Sequence, residues 1–459
     1  MVTNTHHLLR TICAALDLPD VAPGAVQFTG AGALSSYYAV TDFAAASVAA
    51  AAVAVREWML AQGRPAAAIR VDRRLASLWF GWSIDPAGWT RPPLWDAVAG
   101  DYATLDGWIR LHTNAPHHRR AALAVLGCAP DRAAVAHAVA QWQGAALEAA
   151  VVGNNGCAAQ MRSAAEWRAH PQGQALAAEP LIAFDTRPGD SRSAWVGHPD
   201  RPLQGVKVLD LTRVLAGPIA TRFLAGYGAD VLRIDAPDWD EPGVIPEVTI
   251  GKRCARLDLR QASDRAVFEQ LLAQADVLVH GYRPDALKRL GYGEQFRLQC
   301  NPGLVDVSLD AYGWTGPWAA RRGFDSLVQM SCGIAQHGMR ESGANQPVPL
   351  PVQALDHATG YLVAAAVVRG LTAKLTQQQV MRGRLSLART AALLMAFPAA
   401  GDGPPLAPAA DDDWAPALEQ TQWGPARRLQ PPVQIDGVPM AWTRGASALG
   451  SAQAAWQDQ

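Results

Sequence analysis

Asp356 sits in PVPLPVQALDHATGYLVAAAVV, where it opens a long apolar, alanine-rich stretch. An aspartate at the head of a helix serves by default as an N-cap, accepting backbone N–H groups and complementing the helix dipole. Two features point beyond that role. The preceding PVPLPVQAL is apolar and stiffened by prolines, so the carboxylate emerges from a dry, fixed setting, and Gly360, one helical turn later, leaves room for a ligand beside it. A carboxylate held in this way can attack an activated acyl group and carry it covalently. Cations stand near the ends of predicted strands: Lys252 and Arg253 in IGKRCARLDL, and Arg283, Lys288 and Arg289 in GYRPDALKRLG. Such charges suit the phosphates of a nucleotide-like ligand and, equally, a solvated surface. In TRVLAGPIATRF, Gly217 and Pro218 mark a strand-to-helix turn, the place where phosphates meet a helix N-terminus. The turn is not GxGxxG, which disfavours NAD, and taken alone it reads first as a structural turn. His112, His117 and His118 in RLHTNAPHHRR lack metal-ligand spacing with a nearby acid and read as satisfied or surface histidines, so no metal site is expected. With no GxSxG elbow and no HExxH helix, serine-hydrolase and zincin chemistry fall away.

The elements that must hold these groups read clearly in the second half. GVKVLDLT, ADVLRID, DVLVHGY and LVDVSLDAYG are short apolar runs, alternating with the helical stretches AGPIATRFLAGYGA, DRAVFEQLLAQA and PDALKRLGYG. This alternation predicts βαβ units, a parallel sheet and an α/β fold class. Residues 204–398 form this sheet-bearing large domain in the sequence reading, and 399–459 a closing segment. Residues 98–185 read as a smaller α+β domain, in which DYATLDGWIRLHTN alternates like a hairpin strand and HHRRAALAVLG is a helix with a glycine stop. Residues 186–203, polar and proline-containing, read as a linker. Residues 1–97 form an arm with an alanine-rich helix starting near Thr41–Asp42. This arm echoes the later chain: DFAAASVAAAAVAVREWMLAQGRPAAAIRVDRRL, from Asp42, aligns without gaps to the segment of residues 356–390 that begins at Asp356, matching Arg70 with Arg384.

Composition bounds the rest. In 459 residues, 49% are hydrophobic and 18% charged, enough apolar mass for a large core. Forty Lys plus Arg against 41 Asp plus Glu leave a net charge of −1, so no basic excess favours nucleic acid or an anionic membrane. The six cysteines are scattered without a CxxC pair, which fits a reduced compartment. The N-terminus lacks a signal-peptide core, and the apolar run at residues 44–55 is too short to cross a bilayer, so a cytoplasmic location is expected.

The series LQGVKVLDLTRVLAGPIATRFLAGYGADVLRIDAP, GKRCARLDL, ADVLVHGYRPDALKRLG and NPGLVDVSLDAYGWTGPWAARRGFDSLVQ resembles, in order and spacing, the family III CoA-transferases, the carnitine/bile-acid CoA-transferase group, over roughly residues 202–390. WGPARRLQPPVQIDGVPMAW is similar to the closing segment of some members. The resemblance implies a Rossmann-like large domain with a smaller second domain, a homodimer, and coenzyme A as co-substrate with no permanently bound cofactor. It implies an acyl-CoA and a carboxylic acid as partners, and Asp356 as nucleophile, passing through a mixed anhydride and an aspartyl-CoA thioester. It further implies CoA contacts at Leu215, Ala216, Arg233, Lys252, Arg253, Tyr282 and Arg289. The order departs from the family pattern, because the small-domain-like segment precedes the large domain. The chain thus resembles the rear of one copy fused to the front of another, with Asp42 a vestigial second aspartate and a shortened interval from Ile234 to Lys252. Two alternatives stand beside CoA transfer. One is a 2-methylacyl-CoA racemase, although similar racemases carry a His–Asp pair where this chain has Phe324–Asp325. The other is a catalytically degenerate acyl-CoA-binding protein.

Overall fold

A computed structural model describes residues 4–22, 24–189, 198–283, 285–401 and 404–457. The central part of the predicted linker, 190–197, lies outside these residues. The apolar runs of the second half form a seven-stranded sheet, β1 (Ala183–Pro188), β2 (Lys207–Leu211), β3 (Asp230–Asp235), β4 (Lys252–Arg256), β5 (Val277–His280), β6 (Val305–Asp310) and β7 (Gln379–Ser386), in the order β4-β3-β2-β5-β6-β7-β1. All neighbours are parallel except β1, which pairs antiparallel with β7 at the edge. Residues 186–188, given to the linker by their composition, are the end of this edge strand, where a proline and exposed polar residues are tolerated.

The six parallel strands follow the Rossmann order, and the fold class is α/β. Both faces of the sheet are covered, which explains why its strands are apolar without a break. Side chains alternate between two cores. Val208, Val231, Val277, Val279 and Val307 face one side, against the helices α3 (Ala216–Gly226) and α5 (Ala354–Gln377). Leu209, Leu232, Ile234 and Leu278 face the other, against Phe268, Leu271 and Leu272 of the helix Ala262–Gln274.

In the N-terminal arm, α1 (Val40–Ala61) lies along α5, and both are buried over most of their length. Runs of alanine let the two backbones come close. The apolar run judged too short to span a bilayer is part of this 22-residue helix, which is long and apolar enough by length and composition. Here 89% of its apolar window is buried inside the fold. The echoed stretches also share a structure. Asp42 and Asp356 each occupy the third position of their helix, after N-caps of nearly identical backbone angles at Ala39 and Gln353. Each helix leads to a strand, Ile69–Asp72 or β7, and then to a helix that starts one residue after the matched positions Asp72 and Ser386. Val26–Thr29 pairs in parallel with Ile69–Asp72, just as residues 307–310 pair with 383–386.

The first half also carries a three-stranded antiparallel sheet, Gly100–Thr104, Gly107–Leu111 and Ala158–Gln160, packed on short helices that include α2 (Pro116–Leu126). Pro116 begins α2, and Gly127, at φ +62°, ends it in the left-handed conformation that glycine favours. The closing segment completes sheets begun by the arm: Gly424–Arg428 pairs with Ile84–Pro86, and Val433–Ile435 with Ile69–Asp72.

Candidate active site

The chain turns back across β2 between β4 and β5, so the loops after β2 and β5 diverge and open a crevice at the carboxyl ends of the strands. A cavity of about 320 Å³ fills that crevice. Its walls come from the ends of β2, β5 and β6 and from the residue after β7, and include Thr212–Val214, Gly281–Arg283, Asp310 and Leu387. Asp356 lies in the same wall.

The Asp356 carboxylate does not cap its own helix. The side chain of Asp325, at the head of α4 (Asp325–Cys332), caps it from outside. Its Oδ2 accepts the backbone N–H groups of Leu355 and Asp356, at 2.8 and 2.9 Å. Its Oδ1 accepts the Gln329 side-chain amide, and Gln329 Oε1 accepts the N–H of Leu350 at 2.7 Å. The entry into α5 is therefore fixed by α4, and the Asp356 carboxylate makes no hydrogen bond among the described residues. Burial raises its pKa well above the usual carboxylate value, and the neighbouring Asp325 charge adds to the rise. Burial likewise pushes Asp325 up to about 6.

Around this carboxyl the cavity is cationic. Arg213, Arg283 and Arg322 line it without a carboxylate partner among the described residues. Arg213 stacks over Trp239 at 4.2 Å, and Arg322 reaches only the Asn155 carbonyl, at 3.3 Å. Arg321, also in the wall, is already paired with Glu148 at 3.0 Å. Guanidinium groups left open in a concave site are suited to phosphate or carboxylate groups of a ligand. The N-terminus of α3 opens on the same space at Ala216 and Gly217, adding backbone donors. A side chain at Gly217 would fall on Thr212, so this turn admits only glycine. Just before it, Val214 sits at φ +63°, a strained conformation for a β-branched residue. Its N–H is held by Glu241 Oε2 at 2.9 Å.

Among the residues singled out in the sequence, Asp356, Ala216, Tyr282 and Arg283 share the cavity wall. Leu215 is the buried N-cap residue of α3 behind it. Arg233 and Lys252 are enclosed and do not reach the cavity. Arg233 pairs with Asp235, at 2.8 Å, and with Glu241, while Lys252 pairs with Asp210 at 3.1 Å and donates to the Pro218 carbonyl at 2.8 Å. Arg253, on the outer strand β4, is held bidentately by Asp230 at 2.8 Å. Arg289 is exposed and paired with Asp285. Lys288 faces a separate hollow. Asp42 pairs with Arg73 at 2.8 Å and accepts from Thr5, so its carboxylate is engaged on the arm.

Two sequence expectations are corrected. The room expected beside Gly360 is filled: a Cβ there would lie 2.5 Å from the Ala216 carbonyl, so the glycine serves the crossing of α5 over α3. His118, read as a satisfied or surface residue, is a buried part of the cavity wall with neither ring nitrogen hydrogen-bonded. Burial and its neighbour His117 hold its pKa down to about 3, so the ring is neutral. His112 stacks flat on Phe324 at 3.7 Å. No local signal marks His118, because it reaches the site from α2, far away in the chain. Arg213 and Arg322 lie inside the quoted motifs TRVLAGPIATRF and NPGLVDVSLDAYGWTGPWAARRGFDSLVQ, but were not singled out there.

Residues 203–412 match the family model described as CoA-transferase family III. Acetyl-coenzyme A transferase nodX of Hypoxylon pulicicidum is 36% identical over 222 residues, 46% of this chain and 37% of that protein. Human succinyl-CoA:glutarate CoA-transferase is 33% identical over 205 residues, 40% of this chain and 46% of that protein. The chain thus spans less than half the length of each of these two relatives. The crystal structure of Rv3272 from M. tuberculosis is 30% identical, with a TM-score of 0.40, over 43% of this chain and 57% of that one. The part of the chain that matches CoA-transferase family III, residues 203–412, carries the parallel strands of the sheet, the α3 turn and Asp356.

Proposed function

We propose that the protein transfers CoA between an acyl-CoA and a carboxylic acid, with Asp356 as nucleophile. The observation that carries this reading is a carboxylate that makes no hydrogen bond among the described residues, at the carboxyl ends of a Rossmann sheet, in one cavity with three guanidiniums that have no carboxylate partner among those residues. The guanidiniums and the α3 N-terminus suit the phosphates of CoA as a bound co-substrate. The ionised Asp356 would attack the thioester carbonyl, forming an aspartyl mixed anhydride and expelling CoA thiolate. The thiolate would then attack the aspartyl carbonyl, releasing the donor acid and leaving an aspartyl-CoA thioester. An acceptor carboxylate attacks that thioester, again giving an anhydride and thiolate. The thiolate finally takes the acceptor acyl group and frees Asp356 as carboxylate. Each tetrahedral intermediate carries an oxyanion that needs nearby donors, and the free N–H groups at the start of α3 are candidates. A homodimer and a cytoplasmic setting complete the proposal, resting on the resemblance and on six free cysteines.

Asp356→Ala tests it. Transfer from acetyl-CoA to a panel of acids, read by mass, is expected to fall by roughly 10³-fold or more while CoA still binds. Hydroxylamine should trap acyl-Asp356 in the parent protein and nothing in the variant. Turnover that survives the substitution would remove the covalent route, and a parent protein that binds CoA without turnover would be a binder rather than an enzyme.

A further inference from the structure

A second chamber of about 190 Å³ adjoins the cavity around Asp356, with Val214, Trp239 and Phe324 in the walls of both. The far side of this chamber is made by residues 93–96 of the N-terminal arm and by residues 240–244. Its character differs from that of the first. Leu94, Trp95, Trp239 and Phe324 present apolar and aromatic surface, and no lysine or arginine among the described residues lines it. Arg110 stays behind the Trp95 ring, 4.8 Å from its centre, and is paired with Asp101 at 2.8 Å.

The chamber's acids are engaged within the protein. Asp96 accepts from the Thr113 hydroxyl at 2.7 Å and pairs with Arg119 at 3.2 Å. Glu241 accepts from the Val214 N–H and from Trp239 Nε1 and pairs with Arg233. Asp240 accepts the Glu241 N–H at 2.9 Å. Among the described residues lining this chamber, the one buried side-chain polar atom without a partner is Nδ1 of His112, which burial keeps neutral, and whose ring lies flat on Phe324.

We infer that this chamber receives the acyl group, and that the acids accepted are monocarboxylic acids with an uncharged apolar or aromatic chain, in preference to dicarboxylic acids. The inference rests on the CoA-transfer reading and names its substrate class. The reacting carboxyl must stay beside Asp356 in the cationic cavity, so the remainder of the acid extends past Val214 and Phe324. A second carboxylate at its far end would lose water and find no available cation among the described lining residues, because Asp96 and Glu241 already hold the nearby arginines, Arg119 and Arg233, so its burial would go uncompensated. A hydrocarbon chain loses nothing by leaving water there, and each methylene it buries strengthens binding by up to roughly fourfold.

Isothermal titration of the full chain carrying Asp356→Asn, which blocks turnover, separates the two claims. The probes are CoA, hexanoyl-CoA and glutaryl-CoA. Hexanoyl-CoA is expected to bind at least about tenfold tighter than CoA, and glutaryl-CoA no tighter than CoA. Adding Leu94→Arg places a cation in the chamber. It should tighten glutaryl-CoA and weaken hexanoyl-CoA, with CoA itself unchanged as a control for folding. If CoA binds but glutaryl-CoA matches or exceeds hexanoyl-CoA, or if Leu94→Arg changes neither thioester, the acyl-site assignment is overturned and the CoA reading stands. If CoA fails to bind, the reading of the cavity falls and the assignment falls with it.

Discussion

Asp325 and Asp356 divide two tasks that one aspartate would otherwise have to combine. Asp325 satisfies the first N–H groups of α5, which leaves the Asp356 carboxylate free to face the cavity. Asp325→Ala should therefore cost about 1–3 kcal/mol for each N–H left unpartnered, whereas Asp325→Asn keeps an acceptor and should cost less; urea unfolding of both variants tests this. The pair also sets a pH dependence. Both folded-state pKa values lie above the ordinary carboxylate value, that of Asp325 at about 6. The folded protein thus holds protons that the unfolded chain releases, and these two groups oppose folding increasingly as pH rises from about 4 through 6. Asn at position 325 does not titrate, so the Tm of Asp325→Asn relative to the parent should improve by a few degrees over that range. A difference that stays constant with pH would contradict the buried acidic pair. Asp356 was legible because an acid ahead of an alanine-rich run is a local pattern. Asp325 lay inside a quoted motif, yet the N–H groups it caps are 30 and 31 residues away and leave no local trace.

At the scale of elements, the site depends on how closely α5 crosses α3. Gly360 permits that approach, with the Ala216 carbonyl and Ile219 occupying the space a side chain would need. Gly360→Ala must push the two helices apart, and should destabilise the protein by about 1–3 kcal/mol in denaturant titrations. CoA affinity should weaken as well, because Ala216 forms part of the cavity wall. Unchanged stability and affinity would show that the crossing tolerates movement. The strands themselves were readable as short apolar runs alternating with helices, whereas their two faces, valines against one core and leucines with isoleucine against the other, emerge only in the structure. What composition misjudged was position: a polar strand with a terminal proline looks like a linker until it is seen at a sheet edge.

Across the whole molecule, chain order and spatial order diverge. Glu247, wholly buried, accepts from the Ser83 hydroxyl at 2.6 Å and pairs with Arg222 of α3 and, at 3.4 Å, with Arg428. Arg428 in turn donates to Ser83 at 2.8 Å and pairs with Glu419 at 2.7 Å. One buried network thus ties the arm, the large sheet and the closing segment together, alongside the strands those distant segments share. Glu247→Ala leaves two buried guanidiniums short of a counter-charge, and should lower stability by about 3–5 kcal/mol. Calorimetry should still show one transition, because the three parts share their core; an early, separate melting of the arm would contradict that.

The amino-acid sequence by itself determined the α/β alternation, the parallel sheet and the acid at the head of an alanine-rich helix, because these depend on period, propensity and adjacent residues. The tertiary structure alone decided which charges are open to a ligand. Arg233 and Lys252 meet Asp235, Glu241 and Asp210 inside the fold, whereas Arg213 and Arg322 find no carboxylate among the described residues and face the cavity with His118. A charge is available only where no opposite charge lies within hydrogen-bond reach, and that distance is set by packing between residues remote in the chain.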